Sequence, residues 1–179
     1  MPATSTTVRR GVTVAALAAV LALTPACSSS GSDAAPPPAE PVRLTESGGC
    51  GNAFLWATTP EGDVAVTVTV EARDRSATEP TTIAIDLPDP DVTVKVLRGT
   101  DLASNFCTDL PRTGSHPTDT QDATAGTGSL VLDPTPDPGG STSCGRASGH
   151  VRLRGVVASE GTRFAPIDAR SDQIGCYSG

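Results

Sequence analysis

The sequence predicts an all-β domain, and three observations lead to that prediction. Short runs of β-branched residues alternate between apolar and polar side chains, which is the period of a strand. Turn-rich stretches of proline, glycine and aspartate separate these runs, and no convincing amphipathic helix is present. The same part of the chain contains an even number of cysteines, which indicates disulfides in a small exported domain.

The clearest strand is 64–70, in which valines alternate with alanine and threonine. Prolines at 88 and 90 end a later strand, because proline cannot donate a hydrogen bond to a sheet. The last two strands form a hairpin around 159–162, where Gly161 can take positive φ. In chain order the predicted strands are 54–58, 64–70, 82–87, 92–97, 128–132, 151–158 and 163–169, with a single turn at 101–105.

Short strands at hairpin spacing are typical of an immunoglobulin-like β-sandwich, and we expect about seven strands in that architecture. Trp56 follows Cys50 closely and Tyr177 comes directly after Cys176, so neither aromatic residue occupies the antibody-type position. We therefore expect the sandwich without the antibody signature. Trp56 is expected in its core, and so are the three phenylalanines, Phe54, Phe106 and Phe164.

The N-terminal segment resembles that of a bacterial prolipoprotein. Arg9 and Arg10 precede an apolar run at 12–23, which is shorter than the roughly 20 residues that span a bilayer. The run ends at small residues before Cys27, and serines follow, as around a lipobox. The arginine-, alanine- and proline-rich composition is similar to that of actinobacterial proteins. This resemblance implies cleavage before Cys27 and a diacylglycerol on its thiol.

The resemblance divides the chain into three parts. It implies a signal peptide at 1–26, a lipidated Ser/Pro/Ala-rich tether at 27–48 and an ectodomain at 49–179. The expected location is the extracytoplasmic face of the cell membrane, to which the lipid anchor holds the protein. The alternative is an ordinary secretory signal cut after Ala26, which leaves a free thiol on Cys27.

Four cysteines remain in the ectodomain, and we expect them to form two disulfides. Spacing alone leaves three pairings open. The nested arrangement is expected, in which Cys50–Cys176 fastens the ends of the domain and Cys107–Cys144 closes a long middle loop. Zinc is the alternative, but no two of these cysteines lie close in sequence, so we expect no metal site.

Charge and motifs exclude several functions. Removal of the signal takes two arginines from the 13 basic residues, which leaves 11 against 20 acidic residues and a formal charge of −9. That balance argues against nucleic acid or anionic lipid as a partner, since both need basic patches. Only His116 and His150 could serve as a catalytic base, and the Gly-x-Ser-x-Gly motif is absent. His116 is expected in a loop, and His150 is expected at the start of a strand, beside Arg152 and Arg154 on a solvent-facing side. We expect no enzyme activity and no cofactor, and the aspartates of the turns are expected to be solvated.

The segment 108–143 is polar and rich in proline, glycine and threonine, with one predicted strand. A long loop of this kind is often functional, so it is the expected recognition surface. The sequence therefore favours a membrane-anchored, non-catalytic binding or scaffolding module of the cell envelope, with an envelope protein as its partner. The alternative is a small extracytoplasmic enzyme or small-molecule binder.

Overall fold

The computed structural model describes residues 39–51, 53–70, 80–110, 112–135 and 146–175. The chain separates into two units, Met1–Pro37 and Pro38–Gly179, and every described residue belongs to the second. The strands are β1 (Glu46–Cys50), β2 (Phe54–Thr58), β3 (Val64–Val70), β4 (Thr81–Leu87), β5 (Val92–Thr100), β6 (His116–Thr135), β7 (Arg146–Ala158) and β8 (Ile167–Gly175). A short 3-10 helix, Leu102–Asn105, follows β5.

The all-β prediction is confirmed, and the part of the chain that the structure describes contains no α-helix. Each of the seven predicted strands overlaps an observed one, and β2 and β3 have the predicted bounds. The expected two-layer sandwich of seven strands is replaced by one antiparallel sheet of eight strands that is nearly closed into a barrel. Strand β1 is an addition, and it begins at Glu46, ahead of the expected domain boundary at residue 49.

The sheet has the order β1-β2-β3-β5-β6-β7-β8, and β4 also pairs with β6. Strand β6 is 20 residues long and connects the two halves of the sheet. Its first part pairs with β5, its second part pairs with β4, and β7 lies along its other edge. The register with β7 shifts on both sides of Ala125, next to Gly126 at φ 147°, a conformation that favours glycine.

The two ends of the strand order lie side by side. A bridge joins Gly51 to Ile174, and the Ser171 hydroxyl donates a 2.7 Å hydrogen bond to the carbonyl of Gly49. At Val42, a second bridge joins the chain before β1 to Phe164. These contacts bring β8 against β1 and nearly close the sheet.

The interior is filled by side chains that alternate with outward-facing residues along each strand. The most deeply buried of them are Leu55, Val66, Val68, Val96, Leu130, Val151, Leu153 and Val156. Phe164 is buried in this core, as expected, whereas Phe54, Trp56 and Phe106 are only partly buried, and Trp56 contacts the Phe106 ring on the outside of β2. The prediction of Trp56 in the central core is therefore wrong.

The nested disulfide prediction is also wrong. Cys50 bonds to Cys107, with 5.7 Å between the Cα atoms, so neither Cys50–Cys176 nor Cys107–Cys144 can form. The error follows from treating 108–143 as a loop closed at its base, whereas much of that segment is strand β6. Two disulfides were expected, and the described residues contain one, Cys50–Cys107. Cys144 and Cys176 lie outside the described residues.

The expected recognition loop is largely structural. Residues 116–135 form the strand that holds the two halves of the sheet together, so this stretch is not a dispensable surface insertion. The described residues of this segment that precede β6, 108–110 and 112–115, belong to a turn-rich connection between β5 and β6. We call residues 101–115 the strap, of which residue 111 lies outside the description.

The strap covers the outward face of β2. The Phe106 ring lies 5.4 Å from Trp56 and 5.7 Å from Phe54, measured between centroids. Gly48 on β1 makes room for the indole, because a Cβ atom there would lie 2.6 Å from Trp56 Cζ2. Leu102 is also buried, although it does not belong to the main core. The strap thus seals a second, smaller apolar cluster outside the sheet.

Hydrogen bonds within the strap hold its shape. The Asn105 side chain donates to the carbonyl of Ser115 and accepts a 2.9 Å bond from the backbone N–H of Arg112. The Ser115 hydroxyl donates to the carbonyl of Asp101. The bond from Cys107 to Cys50 then attaches the middle of the strap to the end of β1.

Candidate functional site

The outward face of β7 and β8 carries the densest group of ionisable side chains that contact one another in the described part of the chain. His150 and Arg152 lie on β7, and Asp168 and Arg170 lie on β8. The register places Arg152 opposite Asp168 and His150 opposite Arg170. Because side chains at alternate positions share one face of a strand, all four project from the same side of the sheet. We call this group the β7–β8 face.

Asp168 is the centre of the group, since three side chains approach its carboxylate. His150 Nε2 lies 2.9 Å from Oδ1, and Arg170 Nε donates to the same oxygen at 3.1 Å. Arg152 Nε is 3.4 Å from Oδ2. One carboxylate therefore orients two guanidinium groups and one imidazole.

This environment favours the ionised carboxylate. The hydrogen bond from Arg170 is the largest influence and lowers the pKa of Asp168, while partial burial works against it. The hydrogen bond and charge of His150 lower the pKa further. Asp168 is thus a stable anion that holds its neighbours in place at neutral pH.

Both arginines contact Asp168 through Nε alone. Within the described residues, their Nη groups make no hydrogen bond. Arg154 follows on the same face of β7, about 7 Å further along the strand, and it is exposed without an ion-pair partner among the described side chains. Three arginines therefore present unused donors to solvent on a chain whose overall charge is negative.

A shallow depression of about 460 Å³ borders this group. Ser148, Gly149 and His150 form one side of it, and Arg170, Ser171 and Asp172 form the other. The depression is open to solvent, so a ligand there would be held at the surface and would keep much of its hydration.

The sequence-predicted site residues are not brought together here. Cys27, the expected lipidation site, lies outside the described residues. Cys50 and Cys107 form their bond on the strap side of the sheet, and His116 begins β6 as an exposed residue. Of the residues considered for chemistry, only His150 belongs to the β7–β8 face, on a solvent-facing side as expected.

Asp168 and Arg170 were not predicted as site residues, although their spacing in the sequence carries a signal. Arg152 and Arg154 lie two residues apart on β7, and Asp168 and Arg170 lie two residues apart on β8. Two residues is the spacing of side chains that share one face of a strand. The register that sets Asp168 against His150 and Arg152 could not be derived from that pattern alone.

The described residues contain no group of three or more His, Cys, Asp or Glu side chains placed to hold a metal ion. Nor does any helix in the described ranges have the length and apolar character needed to cross a membrane.

Comparison of the chain with models of known protein families, with curated proteins and with solved structures finds no match in any of the three.

Proposed function

We propose that this protein is a non-catalytic binding module of the cell envelope, held at the extracytoplasmic face by a lipid on Cys27. The observation that carries the binding role is the β7–β8 face, where Asp168 orients Arg152, Arg170 and His150 beside an open depression. Side chains held in place before a partner arrives lose less conformational freedom on binding. The recognition surface is therefore assigned to this face, in place of the segment 108–143.

Two features support the envelope location. The disulfide Cys50–Cys107 suits an oxidising compartment, because cytosolic thiols are kept reduced. The apolar run that ends before Cys27 suits a lipoprotein signal. Both fit a tethered ectodomain that meets its partner outside the membrane.

The second candidate is a small enzyme or small-molecule binder, and the His150–Asp168 contact favours it. A histidine that is oriented by a carboxylate can act as a general base. However, among the described residues no hydroxyl group is hydrogen-bonded to the His150 ring, and the Asp168 side chain is 51% exposed. An exposed pair of this kind lacks the dry surroundings that strengthen catalytic electrostatics, so the binding role is preferred.

The anchor is tested by mass spectrometry of the mature N-terminus after expression of the full chain in a bacterial host that processes lipoproteins. We expect the chain to begin at Cys27 with a diacylglycerol on the thiol, and Cys27→Ser to release the protein from the membrane. An unmodified Cys27, or cleavage at another position, contradicts the anchor.

The face is tested by photo-crosslinking in the native membrane. A photoreactive residue replaces Arg154 in one variant and Lys95, an exposed residue of β5, in a matched control. We expect a defined crosslinked species from position 154 that disappears with Arg152→Gln and Arg170→Gln. Equal crosslinking from position 95 contradicts the assignment of recognition to the β7–β8 face.

A further inference from the structure

We propose that the β7–β8 face binds a phosphate group, with Arg152 and Arg170 as the two principal contacts. This inference rests on the proposed binding role and names the chemistry that the face recognises. The group is either free phosphate or the phosphodiester of a lipid headgroup, since both present the same oxygens.

The first step concerns the guanidinium geometry. Arg152 and Arg170 use only Nε on Asp168, so each keeps two Nη groups for another acceptor. A guanidinium binds an oxyanion best through two parallel N–H groups, which gives both strength and direction. Because Arg152 lies on β7 and Arg170 on β8, the two guanidinium groups flank the one Asp168 carboxylate from neighbouring strands.

The second step concerns the number of acceptor oxygens. A carboxylate has two oxygens, whereas a phosphate group has three or four and can accept hydrogen bonds from several donors together. Arg170 and the hydroxyl of Ser148, which both line the depression, provide donors there, and Arg152 adds donors at the other oxygen of Asp168. Arg154 adds a further positive charge along the strand. This set favours phosphate over a carboxylate ligand.

The third step concerns the charge of the face. Three arginines stand beside three aspartates, Asp168, Asp172 and Asp133, which lies opposite Ser148, so the face is close to neutral on a chain that is acidic as a whole. Asp168 is already satisfied by its donors, but Asp172 lines the depression and repels an incoming anion. The repulsion of more distant acidic residues is weakened by salt beyond about 8 Å at physiological ionic strength.

The test follows the arginine Nε–H and backbone signals of the isotope-labelled full chain, in detergent, by nuclear magnetic resonance. Inorganic phosphate is titrated at constant ionic strength against chloride and acetate. We expect a saturable shift of the Arg152, Arg170 and Ser148 signals with phosphate, and a weaker response with acetate. A response to phosphate that does not saturate, or that chloride or acetate equals, overturns the proposal.

Variants separate specific binding from general attraction. Arg170→Gln is expected to weaken phosphate binding by about fivefold or more, and Arg170→Lys nearly as much, because lysine lacks the planar fork. Asp172→Asn is expected to strengthen binding, since it removes a repelling charge. Lys95→Gln removes a positive charge from β5 and serves as the control, for which no change is expected. Full binding by Arg170→Lys, or an equal loss in Lys95→Gln, overturns the role of the arginine pair.

The two sources of phosphate are distinguished with vesicles. Flotation of the unlipidated Cys27→Ser chain with phosphatidylglycerol vesicles, but not with phosphatidylcholine vesicles, supports a headgroup ligand. A phosphate shift without flotation supports a soluble phosphate ligand. If neither occurs while position 154 still crosslinks to a partner, the phosphate proposal fails and the binding module stands.

Discussion

The outward faces of β2 and β7 carry opposite chemistry, although both strands belong to the same sheet. On β2 the outward residues include Phe54 and Trp56, and on β7 they include His150 and Arg152. The first face lies under the strap, whose Phe106 packs on both rings. The second face is open to solvent, and its charged residues contact one another. A strand that is apolar on both faces has to bury each face, one in the core and one under another segment. A strand with alternating apolar and polar residues has to bury only its apolar face.

The two faces therefore depend on different interactions. Burial of aromatic surface and a covalent bond hold the strap side together, so its loss is expected to be costly. The β7–β8 face is held by exposed ion pairs, which contribute little to stability. This contrast suits the binding role proposed for the charged face, because substitutions there are expected to change the stability of the fold little.

Removal of the disulfide tests the strap side most strongly. Cys50→Ser combined with Cys107→Ser opens a connection of 57 residues, for which the chain-entropy model predicts a loss of about 4 kcal/mol. The free energy of unfolding is measured with denaturant, and the fluorescence of Trp56, the sole tryptophan, reports exposure of the cluster. Cys27→Ser is the control. Unchanged stability and fluorescence would show that the strap holds without the bond.

Cys144 and Cys176 test whether a second disulfide forms next to the paired ends of β7 and β8. The ladder of β7 and β8 reaches Arg146 opposite Gly175, and Cys144 stands just before this pair in the sequence while Cys176 directly follows it. We expect these two cysteines to bond to each other in an oxidising compartment. A non-reducing peptide map should show a Cys144–Cys176 peptide and no free thiol, and two free thiols at these positions contradict it.

Two leucines of the strap, one buried and one exposed, test how much burial of the strap's side chains contributes to stability. Leu102 is 1% exposed and Leu110 is 82% exposed. Leu102→Ala is expected to destabilise the fold by roughly 2–3 kcal/mol, since it removes buried methyl groups, whereas Leu110→Ala should change stability by less than about 0.5 kcal/mol. Denaturant unfolding of both variants gives the comparison. Equal effects would mean that the strap does not bury Leu102 in solution.

The smallest effect is expected at Asp168. Asp168→Asn should lower stability at pH 7 by about 0.5 kcal/mol or less, because exposed ion pairs are weak. The folded-state pKa of Asp168 is lowered, first by the hydrogen bond from Arg170, so its contribution is present above the ordinary carboxyl pKa. It is lost as the pH falls through the lowered value. The stability difference between the two proteins should therefore shrink in acid, and a difference that grows in acid contradicts the assignment.

Strands with strong β propensity were predicted well from the sequence, and those supported mainly by their neighbours were not. The valine alternation of 64–70 and the run 54–58 match β3 and β2. Strand β6 was predicted only at 128–132, because its first part is polar and contains Pro117 and Gly126. Pairing with β5 and β7 along its edges overrides that weak local preference. Strand β1 contains two adjacent glycines, and its pairing with β2 decides its conformation.

The amino-acid sequence by itself determined the strand-rich character of the domain, because β-branched alternation acts within a few residues. It also placed His150 on a solvent-facing side. Only the tertiary structure decided that Cys107 meets Cys50, that the strap covers Trp56 and that Asp168 meets His150, Arg152 and Arg170. Each of these contacts joins residues distant along the chain, so it depends on strand order and register, which period-two patterns leave open.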